Sequence, residues 1–334
     1  MLCSFIIPAY NASRTIVRCL DSIYKLGLAE QDFEVICIDD CSKDNTIAVI
    51  EQYAKYHTNI NLLCQQENHR QGAARNRGVS IAHGKYILYV DSDDESDKGL
   101  LQALQLAEEK ELDMVAMHYV NVDEHGNATE KEPITLEGVF AGVELQTTHP
   151  YWCAGPVPYL YRKSFLEKVN YPFTTDVLFE DSDYVMVHLY YAKRMMYSEL
   201  CAYMVHYNAI STTHTTTYKH IADYALLGVR MLKFYNSLND ATSKYAKSIL
   251  EGGSYNICIS CKRLFKLSSI KDVNAFYNRI DTFIKRAALV EYNEPSYYWT
   301  SWTKLCLRHK CITMFIIFLG QFGYKLMKTI KTIN

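Results

Sequence analysis

Short apolar runs alternate with helix-spaced apolar positions through the first third of the chain. Cys3–Ile7, closed by Pro8, reads as a buried strand, and Ala9-Tyr10-Asn11 follows as a loop. Ser13 is placed to cap a helix in which Ile16, Val17, Leu20, Ile23 and Leu26 recur on one face and Gly27 ends the pattern. The same alternation predicts strands at Phe33–Ile38, Ile60–Cys64, Tyr86–Val90 and Asp113–Tyr119. Helices fall between them at Thr46–Tyr56, Gly72–His83 and Gly99–Lys110. Strand and helix joined by short connections imply an α/β fold with a mainly parallel sheet flanked by helices.

The pattern changes after residue 120. Val120–Phe140 reads as a hairpin around His125-Gly126-Asn127, and Tyr159-Leu160-Tyr161 as a strand entering a helix at Ser164–Val169. The acidic pair Glu180-Asp181 precedes a helix at Asp183–Lys193, and Met195–Tyr207 has strand character. Helical spacing then dominates, with Ile221, Tyr224, Leu227, Met231 and Phe234 on one helix and Val273, Phe276, Tyr277, Ile280, Phe283 and Ala287 on another. This predicts two domains, 1–218 (halves 1–119 and 120–218) and a C-terminal helical appendage, 219–334.

Composition narrows the class. The 334 residues are 49% hydrophobic and 22% charged, so a sizeable core is expected. A net charge of −2 supplies no polyelectrolyte field for nucleic acid. The 11 cysteines lack a framework spacing, which favours a reducing compartment, and the first strand begins too early for a signal peptide. Cys258 and Cys261 have no second pair at zinc-like spacing and read as buried thiols. Residues 295–334 contain no acid but carry Lys304, Arg308, Lys310, Lys325, Lys328 and Lys331 around the apolar run Cys311–Tyr324. That run is short for a span, so peripheral membrane contact through 299–331 is expected, with core packing as the alternative.

Polar residues follow the first, second and fourth strands, and in a parallel sheet these share one edge, where open α/β sheets hold ligands. Asp39-Asp40-Cys41-Ser42 follows the second strand, and Asp91-Ser92-Asp93-Asp94 the fourth. Carboxylates crowded there repel unless a cation compensates, and hard divalent ions suit one or two carboxylates plus phosphate oxygens. The bland alternatives are solvated turn acids at 91–94, an exposed helix face for Arg75 and Asn76, packing for Tyr10, and a helix-start role for Glu180-Asp181. Trp152 with Tyr151, Tyr159 and Tyr161 could stack on a sugar or pack in the core, and His206 and His214 flank a late aromatic–polar segment.

Read together, these segments resemble the family 2 glycosyltransferases. The carrying motifs are Ile6–Asn11, Asp39–Thr46, Asn68–Gly78, Ala82–Asp94 and Glu180-Asp181, in that order, over about residues 2–215. The resemblance implies the Rossmann-like GT-A fold and an inverting transfer from a nucleotide-diphosphate sugar, UDP-sugars favoured, to a glycan or lipid-linked acceptor. It implies that Pro8, Ala9, Tyr10 and Asp40 meet the base and ribose, and that Gly72, Arg75, Asn76, Asp91 and Ser92 shape the rest of the donor site. A Mn²⁺ or Mg²⁺ ion would be held by Asp93 with Asp91, and Asp181 beside Glu180 would be the general base. His206 is a secondary candidate at the metal or diphosphate. The expected setting is the cytoplasm, at the inner membrane face, in surface polysaccharide synthesis. A sugar nucleotidyltransferase would need a glycine-rich phosphate loop that residues 2–15 lack, and a non-catalytic glycan- or membrane-binding module would not need Asp93 or Asp181.

Overall fold

The computed structural model describes residues 1–150, 152, 155–208, 217–240, 242–264 and 270–286. The chain divides into two compact units, Met1–Ala209 and Ile210–Asn334. The first is built on a nine-stranded sheet. Its strands are β1 Cys3–Ala9, β2 Phe33–Asp39, β3 Ile60–Cys64, β4 Tyr86–Tyr89, β5 Glu95–Ser96, β6 Met114–Val122, β7 Ala128–Glu130, β8 Tyr159–Arg162 and β9 Met195–His206. The spatial order is β3-β2-β1-β4-β8-β6-β9-β5, with β7 beside β6.

The sheet is parallel from β3 to β4 and mixed beyond it, because β8 runs antiparallel to both β4 and β6. Continuous apolar character explains the parallel part. Every residue of β1, β2 and β4 is buried, as strands covered on both faces must be. The covering helices in this half are α1 Ile16–Tyr24, α2 Thr46–Ala54, α3 Arg70–Ile81 and α4 Gly99–Glu109. Then come α5 Gly142–Thr148, α6 Lys163–Val169 and α7 Glu180–Tyr191. The hairpin between β6 and β7 turns at Gly126 (φ +84°), where Asp123 accepts from the amides of His125 and Asn127.

Several boundaries differ from the sequence expectation. Ser13 does not cap α1. That helix starts at Ile16, and the Ser13 amide instead donates to Asp44. α7 begins at Glu180, so the acidic pair lies inside its first turn rather than ahead of it. The two-residue strand β5 and the helix α5 carry no periodic signal long enough to read from sequence.

The second unit contains α8 Tyr218–Asn236, α9 Lys244–Arg263 and α10 Ile270–Arg286. α8 and α9 cross closely at Gly228, where a Cβ would stand 2.5 Å from the Gly253 carbonyl oxygen. Cys258 and Cys261 are buried on α9. Among the described residues no helix is long and apolar enough to cross a membrane. The basic apolar tail at 299–331 and His214 lie outside them.

Close packing of α3 on β1 depends on Gly78, since a Cβ there would meet Ile6 Cγ2 at 2.4 Å. Gly78→Ala is expected to lower unfolding free energy by about 1–3 kcal/mol in urea titration. Combining it with Ile6→Ala should cost less than the sum of the single changes. An additive result would contradict the contact.

Candidate active site

Parallel pairing brings the C-terminal ends of β1, β2 and β4 to one sheet edge. There the loops after β1 and β2 are stitched together. Asn11 (φ +51°) accepts from the Lys43 amide and donates its own amide to Ser42 Oγ, and the Ala12 amide donates to Thr46 Oγ1. Burial would raise the Asp44 carboxyl, but bonds from Ser13 and Thr46 pull it down to about 2. Pro8 and Ala9 are buried strand residues beneath this loop, and Tyr10 above them is 47% exposed.

Asp40 is buried and organises the next loop. Its Oδ1 accepts from the His69 amide and Gln65 Nε2, and its Oδ2 from the Arg70 amide, each at 2.8 Å. A carboxylate oxygen accepts about two bonds, so Oδ2 keeps room for one more partner. Burial raises the Asp40 carboxyl despite these amides. Its neighbour Asp39, absent from the sequence candidates, is fully buried with Oδ2 on the Ser42 amide and Oδ1 without a partner.

Arg75 is engaged by two acids. It is 2% exposed on α3, donating from Nη1 to Glu180 Oε1 at 2.8 Å and from Nη2 to Asp91 Oδ1 at 2.7 Å. Its guanidinium lies over the Phe173 ring. A buried guanidinium needs paired acids, and α7 and the turn after β4 supply one each. Asn76 is likewise engaged by the protein. Its amide group grips the Phe173 backbone in both directions, at 2.8 and 2.9 Å. Gly72 permits this approach, because a Cβ would sit 2.5 Å from the Thr174 carbonyl and 2.9 Å from Glu180 Cγ. The 171–179 segment is thus docked on α3, and it delivers Glu180-Asp181 through Phe179 in a left-handed conformation (φ +62°).

The acidic turn divides by role. Asp94 is buried, accepting from Tyr203 Oη at 2.9 Å and the His206 amide at 2.8 Å. Burial with Asp91 and Asp93 nearby holds its carboxyl well above the usual range. Asp91 has its side chain in the ion pair with Arg75 and its amide on Tyr203 Oη. Asp93 accepts from Asn208 Nδ2 at 2.7 Å, and its carbonyl takes Arg18 Nη2. Burial, then Asp91, raises its carboxyl. Ser92 is part-exposed in the turn between them. His206 pairs with Glu95 at 2.8 Å. Among the described residues no three His, Cys, Asp or Glu side chains converge to close a metal shell.

Around this corner Asp91, Asp93, Asp94, Glu180 and Asp181 face Arg75 and Arg18, an excess of carboxylate. Glu180 is held up to about 7 by burial, against the pull of Arg75. Asp181, part-exposed, is also raised by burial against Arg75. Trp152, by contrast, is no open platform. It is buried, edge-on to Tyr119, Tyr159 and Tyr197, with its indole on the Glu132 carbonyl.

Two outcomes follow. Arg75→Ala leaves two carboxylates unpaired and should cost about 3–5 kcal/mol in chemical unfolding. A loss below about 1 kcal/mol, the scale of a surface pair, would contradict the node. Glu180 binds a proton in the folded state at pH values where the unfolded chain has released it. Its contribution is therefore full below about 4.5 and lost as pH rises through about 7. Stability measured against pH should fall across that window in the wild type and flatten in Glu180→Gln.

Comparison with known proteins agrees with this arrangement. A family model described as Glycosyl transferase family 2 matches residues 4–170. The chain is 30% identical over 249 residues to the uncharacterized glycosyltransferase EpsJ of Bacillus subtilis (strain 168), covering 70% of each. It is 37% identical over 116 residues to a poly(ribitol-phosphate) beta-glucosyltransferase of Bacillus spizizenii (strain ATCC 23059 / NRRL B-14472 / W23), covering 34% of this chain but 18% of that protein. The structure of S. aureus TarS 1-349 in complex with UDP-GlcNAc superimposes with a TM-score of 0.65 at 21% identity, covering 86% of this chain and 82% of that one, and so shares the fold. The mixed sheet, the acids at its edge and these matches together place the chain in glycosyl transferase family 2.

Proposed function

We propose that this protein transfers a sugar, with inversion, from a nucleotide-diphosphate sugar to a hydroxyl of a glycan or lipid-linked acceptor. The observation that carries the reading is the convergence of the loops after β1, β2 and β4 with the start of α7 on one sheet edge. A UDP-sugar is the favoured donor, supported by the UDP-GlcNAc bound in the TarS structure that shares the fold. In this reading Tyr10 and the remaining acceptor position of Asp40 receive the base, with Pro8 and Ala9 forming the floor.

The donor chemistry fits a divalent cation. Asp93 is a raised carboxylate in an over-acidic corner, and its side chain takes one amide donor from Asn208. Both terminal nitrogens of Arg75 are committed to carboxylates, so Arg75 adds little to neutralise a diphosphate. Asp93, with Asp91 beside it, would hold Mn²⁺ or Mg²⁺, whose remaining positions fall to phosphate oxygens and water. When bound, the ion supplies Lewis-acid stabilisation of the departing diphosphate.

Asp181 is the base that removes the acceptor proton. Its part-exposed carboxylate has a raised proton affinity, which suits a group that must accept a proton in the transition state. Arg75 positions it indirectly, by fixing Glu180 in the same helical turn. The acceptor hydroxyl then attacks the anomeric carbon opposite the leaving group. Work at the inner face of the cell membrane, with the basic tail at 299–331 as a peripheral contact, completes the proposal.

UDP with Mn²⁺ should raise the melting temperature of the purified protein, and Asp93→Asn should remove the metal-dependent part of that rise. Absence of any shift with UDP, GDP or TDP would overturn the donor assignment. Asp181→Asn should keep the UDP shift while transfer to an acceptor falls by about 10²–10⁴-fold. Transfer at the wild-type rate would exclude Asp181 as base.

A further inference from the structure

A second polar site lies at the other end of the sheet. A cleft of about 620 Å³ is lined by Arg162, Lys168, Lys193, Arg194, Asp113, Ser164, Phe165, Val169 and Tyr191. Arg162 pairs in register with Tyr86, the first residue of β4, whereas the acidic turn follows the last, Tyr89. From Tyr86 to Asp91 an extended chain runs roughly 16 Å, so the cleft and the donor site are separate.

The cleft carries four cations and one carboxylate. That carboxylate offsets at most one of the four charges, and its Oδ2 is bound by the backbone amides of Lys193 and Arg194, at 2.9 and 3.0 Å. Nearby Glu108 is engaged by Lys85. None of the four cations is in an ion pair among the described residues. Arg162 spends Nε on the Leu112 carbonyl, and its Nη2 is buried without a partner. A buried cationic donor left unpaired is costly and calls for an acceptor. Arg194 spends Nη2 on the Lys110 carbonyl, and Lys193 lies over the Tyr190 ring. Phe165, Val169 and Tyr191 add apolar wall to a cleft of ligand-binding size.

We infer that this cleft is a binding site for a phosphate ester. The phosphate would take the donors of Arg162 and the ammonium groups of Lys168 and Lys193, and the organic body would lie against Phe165, Val169 and Tyr191. Several cations around a polyoxygen anion, with an apolar flank, are the chemistry such a ligand needs. The ester can come from a soluble molecule or from a phospholipid headgroup, and the two are separable by experiment.

Lys168 and Lys193 are exposed, so Lys168→Gln/Lys193→Gln should fold normally, checked by an unchanged ligand-free melting temperature and an unchanged shift with UDP. Binding of glycerol 1-phosphate is measured by calorimetry, and sedimentation with phosphatidylglycerol vesicles is compared with phosphatidylcholine vesicles. Wild type should bind one of the two probes, and the double variant should bind it at least about tenfold more weakly. Glycerol 1-phosphate binding identifies a soluble ester, and phosphatidylglycerol binding alone identifies a headgroup. Failure to bind either probe, or equal binding by the variant, overturns the assignment. Retained UDP binding in the variant keeps this result independent of the donor-site reading.

Discussion

Everything at the acidic edge depends on the buried guanidinium of Arg75. It ties the turn after β4 to the start of α7, segments separated in sequence by about ninety residues (180 − 91 = 89). Two carboxylates brought that close without a cation would repel, and one would neutralise or move away. Burial makes the pairing obligatory for Arg75 and Glu180, which are shut off from water, while Asp91 keeps partial exposure. Gly72 and Asn76 serve the same junction, one by leaving space and the other by holding the Phe173 backbone. The helix carrying these residues, α3, is thus the strut that fixes the acids.

This division separates carboxylates that look alike along the chain. Asp94 belongs to the scaffold, bound by Tyr203 and the His206 amide. Asp91 balances Arg75, and Asp93 accepts from the side chain of Asn208. Environment assigns these roles, as it does wherever neighbouring carboxylates carry different duties.

The parallel half of the fold is legible because β1, β2 and β4 are short, mostly apolar runs, buried at every position, and their loops are short. The acids at the strand ends were legible for the same reason, since a parallel sheet sends them to one edge. Partner choice was not. Nothing local tells Arg75 from Arg77, and only the fold reveals that one is buried between two acids while the other is exposed. Asp39 and Asp40 are both buried, and strand periodicity does not show which partners each takes. Trp152 read as a possible sugar platform because aromatic residues serve cores and surfaces alike, and burial decides between them.

The Tyr203 hydroxyl receives the Asp91 amide and donates to Asp94, across about 110 residues of chain. That single oxygen sets where the working protein must extend. The family model matches residues 4–170, short of Glu180, Tyr203 and Asn208. A chain stopped there would retain β1 to β4 and the loops after β1 and β2, yet its acidic turn would lose the groups that shape it. Such long-range closure also delays the site during folding, because loop entropy is spent before these bonds form. The acidic turn is therefore completed by bonds that span about 110 residues of chain.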